Sequence, residues 1–113
     1  MTIGSNDYWA KESPMVVVEG EKPSFTFTIP GVSLVTSDTT LDIKVYKNQS
    51  STSDSNLVTG SMSVIDGDTV VTKTLQSLVG GNTYTVEVWG TADGIYRILI
   101  GLELTCRRPG ATL

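Results

Sequence analysis

Residues 78–106 read LVGGNTYTVEVWGTADGIYRILIGLELTC, and this run decides the fold. From Thr83 to Thr91, Tyr84, Val86 and Val88 fall on one side and Thr85, Glu87 and Trp89 on the other. That period of two belongs to a strand with one buried face. Asp93-Gly94 follows. Asp-Gly between apolar runs signals a hairpin, because both central positions of a type I′ turn need positive φ. Ile95 to Cys106 repeats the period, with Tyr96, Ile98, Ile100, Leu102, Leu104 and Cys106 on one face.

Toward the N-terminus the same reading continues. Met15 to Glu19 is a short apolar run after Pro14 and predicts a first strand. Ser24 to Ile29 alternates Phe25, Phe27 and Ile29 against Ser24, Thr26 and Thr28, and Pro30-Gly31 ends it. Leu41 to Lys47 turns Leu41, Ile43 and Val45 inward and Asp42, Lys44 and Tyr46 outward. Asn48 to Asn56 is polar and serine-rich, so it is expected to be exposed. Leu57 to Ile65 and Asp68 to Leu75 read as two further strands, with a hairpin turn at Asp66-Gly67. No segment of useful length has a helical period. About seven short strands with turn signals at near-regular spacing are the signature of an all-β sandwich or small barrel. The expected core is Phe25, Phe27, Ile43, Val45, Tyr84, Val86, Val88, Ile98, Ile100 and Leu102. The expected division is an N-terminal arm at 1–13, a sandwich at 14–106 and a loose tail at 107–113.

One local pattern is more specific. Leu78, the turn Gly80-Gly81-Asn82-Thr83, and Tyr84 entering a strand with Val86 and Val88 resemble immunoglobulin-like and fibronectin type III-like domains. In those a tyrosine corner packs the ring in the core while its hydroxyl bonds a backbone group upstream. The alternative reading of Tyr84 is a half-buried strand aromatic. The resemblance implies an immunoglobulin-like antiparallel β-sandwich of about seven strands. From Val58 to Leu104 the order is hairpin, Gly-Gly turn, Tyr84-Thr85-Val86-Glu87-Val88, the Asp93-Gly94 turn, then Tyr96-Arg97-Ile98-Leu99-Ile100. This half of the chain is similar to the phage fibre-tail adaptor proteins, which join the head or tail tube to fibres.

Composition narrows the function classes. The 113 residues include 8 basic and 12 acidic side chains, for a formal net charge of -4. Only Arg107-Arg108 forms a basic pair, which disfavours nucleic-acid binding. There is no histidine, the commonest metal ligand and general base. The one cysteine, Cys106, ends an apolar face and reads as a small buried hydrophobe, not a nucleophile. Asp66-Gly67-Asp68 lacks the further oxygen ligands of a calcium loop and reads as a turn. No serine sits in a nucleophile elbow. The expectation is therefore a non-enzyme with no cofactor, no metal and no membrane or nucleic-acid partner. Met1 to Glu12 has neither a basic start nor an apolar run, so no signal peptide is expected. The resemblance places the protein in a virion or in the cytoplasm of the expressing bacterial cell.

The candidate interface residues are the aromatics read as exposed, Tyr8, Trp9, Tyr46 and Trp89. Exposed aromatics anchor protein interfaces or stack on sugars. Two functions are carried forward. One is a non-catalytic structural protein of a phage or prophage particle, a head-tail or tail adaptor. It would act by assembly with other virion or tail subunits or by self-association into a ring, with Met1 to Ser13 touching the neighbour. The other is a fibronectin type III-like binding module that recognises a protein or a carbohydrate.

Overall fold

The computed structural model describes residues 9–10, 12–29, 32–34, 40–65 and 67–110. Among them the strands are β1 (Met15–Val18), β2 (Thr26–Thr28), β3 (Asp42–Lys47), β4 (Val58–Thr59), β5 (Ser63–Ile65), β6 (Thr69–Val71), β7 (Thr74–Leu75), β8 (Thr83–Ala92) and β9 (Ile95–Arg107). A single 3₁₀ turn, Ser55–Leu57, precedes β4. The strands form one four-stranded sheet in the order β1-β9-β8-β3, one three-stranded sheet β2-β6-β5, and the short pair β4-β7. The chain folds as an immunoglobulin-like β-sandwich. Among the described residues every pairing between these strands is antiparallel except the parallel run of β1 along β9.

Each expected strand is present, and two are interrupted. The 57–65 run breaks into β4 and β5 at Gly60, whose φ of +92° suits glycine and ends the ladder. The 68–75 run breaks into β6 and β7 at Thr72, whose side chain takes over ladder duty. Its hydroxyl accepts the Phe25 N–H at 2.9 Å while its own N–H donates to the Phe25 carbonyl at 2.8 Å. That pair of hydrogen bonds to Phe25 satisfies the polar groups of a threonine that is 2% exposed inside the sandwich. All of the described residues in 48–56 are exposed, as their composition demands.

The β8–β9 hairpin closes at Asp93-Gly94 with φ of 52° and 81°, the positive pair that a type I′ turn requires. Ala92 pairs with Ile95 across that two-residue turn. At the other hairpin Asp66 lies outside the described residues. There Ile65 pairs with Thr69, so three positions separate the partners instead of two.

The core is one continuous cluster between the sheets. Phe27, Val64 and Val70 come from the three-stranded side, and Ile43, Val45, Tyr84, Val86, Val88, Ile100, Leu102 and Leu104 from the other. Every expected core residue is buried except Ile98, which is only half-buried. The cause is a β-bulge. Val88 pairs with Ile100 but Trp89 pairs with Ile98, so Leu99 is the extra residue. Beyond the bulge the faces of β9 exchange: Leu99 enters the core at 0% exposure, while Ile98 and Tyr96 move to the outer face with Trp89.

Tyr84 forms the corner. Its side chain is 1% exposed, and its hydroxyl accepts the backbone N–H of Val79 at 2.9 Å. No helix among the described residues is long and apolar enough to cross a membrane.

Candidate interaction surface

Where β3, β8 and β9 lie side by side, the outer face of the four-stranded sheet carries three rows of side chains, set by the pairing register. Tyr46, Thr85 and Glu103 stand side by side on β3, β8 and β9. The next row is Lys44, Glu87 and Gly101, and Trp9 lies beside Gly101 through a parallel bridge. The third is Asp42, Trp89 and Ile98. Residues 9 and 10 are thus laid along β9, and the Ala10 N–H donates to the Gly101 carbonyl at 2.8 Å. Ser13 Oγ accepts the Glu103 N–H at 3.0 Å, so Ser13 also lies against β9.

The side-chain sizes in these rows make a groove. A small residue, Thr85, occupies the middle, and the aromatic residues Trp9 and Tyr46 stand at the two sides. Gln49 and Ser50 project from the loop after β3. The groove measures about 300 Å³ and is lined by Trp9, Tyr46, Gln49, Ser50, Thr85, Glu87 and Glu103.

Charge is distributed unevenly around the groove. Among the described residues its lining includes two carboxylates and no basic side chain. Lys44 is directly across from Glu87, yet its Nζ lies over the Trp89 ring, 4.5 Å from the centroid. The Trp89 indole N–H donates to Glu87 Oε1 at 3.1 Å. The Tyr46 phenol is pushed above its ordinary pKa of 10.0, first by burial, then by the Glu87 charge, a hydrogen bond to Glu87, and Asp42.

A second feature adjoins the groove. Trp89 and Tyr96 stack with centroids 5.8 Å apart and planes 27° apart. Tyr96 is 49% exposed and Ile95 is 64% exposed, at the end of the β8–β9 hairpin. That end is braced. The Asp93 N–H donates to the Ser33 carbonyl, Asp93 Oδ1 accepts the Ser33 N–H, and the Thr40 and Thr91 hydroxyls are 2.8 Å apart.

Of the expected interface aromatics, Trp9 and Tyr46 come together in the groove, while Trp89 stands beside it with Tyr96 and Lys44. Tyr8 lies outside the described residues. Glu87 and Glu103 were not singled out by the sequence reading. Alternation places Glu87 outward, but only the β8–β9 register brings Glu103 alongside. Tyr96 was assigned to the inner face, and the bulge puts it outside. Comparison with protein-family models, curated proteins and solved structures finds no match to this chain.

Proposed function

We propose that this chain is a non-catalytic structural protein of a phage or prophage particle, a head-tail or tail adaptor that acts by assembly. The observation that carries the reading is the exposed apolar end of the β8–β9 hairpin. Ile95 and Tyr96 are exposed on a tip that hydrogen bonds to residues 33 and 40 hold in place. A pre-ordered apolar anchor loses little entropy when a partner covers it, which is what a contact in a permanent assembly needs. The phage setting is supported by the similarity of Val58 to Leu104 to fibre-tail adaptors.

The test is co-sedimentation of the full chain with the head and tail subunits encoded beside its gene. The wild-type chain is expected to travel with one of them, and Ile95→Lys to lose that association while keeping its fold. Absence of such neighbouring genes, or equal co-sedimentation of the variant, sinks the reading. The second reading, a fibronectin type III-like module that binds a protein or a carbohydrate, is favoured by the aromatic-flanked groove. Glycan-array binding abolished by Trp9→Ala, with no subunit partner found, would support it instead.

A further inference from the structure

The groove and the hairpin tip share one sheet face, and the groove has a chemistry of its own. Glu87 is opposite Gly101, and Glu103 is two residues further along β9. The carboxylates are therefore diagonal neighbours on adjacent strands, with backbones on the order of 7–8 Å apart. One planar cation can lie between two carboxylates at that spacing. The cation nearest in register, Lys44, lies over the Trp89 ring, and Glu87, which accepts the Trp89 indole N–H, lines a groove with no basic side chain among the described residues. Anionic ligands such as phosphate esters or nucleic acid would meet repulsion here. A neutral sugar could stack on an aromatic ring but would bring no positive charge to the two carboxylates as it excluded water from them, which costs free energy.

The groove's other groups suit a cation equally well. Trp9 and Tyr46 supply electron-rich ring faces, which attract guanidinium and ammonium groups. Thr85, Ser50 and Gln49 supply oxygen acceptors around the lining. The cavity of about 300 Å³ is roomy enough for one long side chain and the water around it.

We infer that this groove receives a basic side chain of a partner protein, arginine by preference, held between Glu87 and Glu103 and flanked by Trp9 and Tyr46. Arginine is preferred because its planar fork donates to two carboxylates at once and packs on aromatic rings, which an ammonium does less well. The inference rests on the assembly reading and names the partner chemistry it requires.

The test is an NMR titration of the isotopically labelled full chain with the peptide acetyl-Gly-Arg-Gly-amide. The control is the same peptide with citrulline, which keeps the shape and removes the charge. The expected result is saturable movement of the Trp9 indole and Thr85 amide signals with the arginine peptide only. Added salt should weaken it. Glu87→Gln combined with Glu103→Gln should weaken it by about tenfold or more, because charge-assisted bonds become neutral ones. The single variants serve as replacements if the double variant loses the dispersed spectrum of β8. An equal response to the citrulline peptide, an unchanged affinity in the variants, or movement of these signals only with maltotriose overturns the assignment.

Co-sedimentation separates this inference from the reading beneath it. A subunit that binds wild type and the Gln variants equally leaves the assembly function standing and overturns the groove's role. If no subunit binds either, the assembly function falls, and the peptide titration still decides whether the groove takes a cation.

Discussion

Tyr46 holds its proton more tightly in the folded chain than in the unfolded one. Burial is the main cause, and the neighbouring Glu87 carboxylate the next. Ionising the phenol would place a second negative charge beside the first. The folded-state pKa is raised, so the associated stability is present below the ordinary phenol value of 10.0 and is lost as pH rises through the folded value. Ring-carbon NMR of Tyr46 should therefore show a midpoint above 10.0, and Glu87→Gln should lower it. An unmoved midpoint in that variant would mean that burial and Asp42 set the shift without Glu87. Glu87 thus links two observations on one face: it holds the Trp89 indole by a hydrogen bond and raises the Tyr46 pKa.

At the scale of the elements, the bulge in β9 decides which side chains do what. Leu99 is the inserted residue and fills the core, while Ile98 is turned to the outer face. Leu99→Ala should cost about 2–5 kcal/mol through lost burial and a residual cavity. Ile98→Ala should cost only about 1 kcal/mol, since less of its apolar surface leaves water. Urea midpoints of the two variants decide the matter, and a larger loss for Ile98→Ala would restore the unbroken alternation. That alternation is all the sequence offers here, because Tyr96, Ile98 and Ile100 read as one face and nothing local marks the extra residue. The strands, the Asp93-Gly94 turn and the Tyr84 corner were legible because each depends on a short-range rule: period two, paired positive φ, or a Leu-Gly-Tyr spacing. The groove was not legible in full. Trp9 and Tyr46 could be chosen as aromatics, but they lie far apart in sequence, and only the ladder joins Tyr46 to Thr85 and Glu103 and brings Trp9 next to Gly101. The breaks at Gly60 and Thr72 were likewise hidden, the second because a threonine looks like any strand residue until its hydroxyl is seen accepting the Phe25 N–H.

For the molecule as a whole, the hairpin tip and the groove share one face of the β1-β9-β8-β3 sheet. A partner covering both would meet an apolar anchor at one end and paired carboxylates at the other. The opposite side of that sheet is committed to the core. The remaining consequence comes from β1, the one strand among the described residues that runs parallel to its neighbour. Met15 is level with Leu104 and Val18 with Arg107, and the Glu19 N–H donates to the Arg107 carbonyl at 2.7 Å. The chain enters β1 at one end of this pair and leaves β9 at the other, so traction on the two ends slides the strands lengthwise past each other. All the bonds of the pair then share the load at once, whereas a hairpin pulled at its open end yields one bond at a time. Single-molecule stretching should accordingly require a higher rupture force between residues 10 and 110 than between residues 81 and 110, which flank the open end of the β8–β9 hairpin. Equal forces along the two axes would show that β1 bears no tension. A link of this kind yields last along the line joining its own ends.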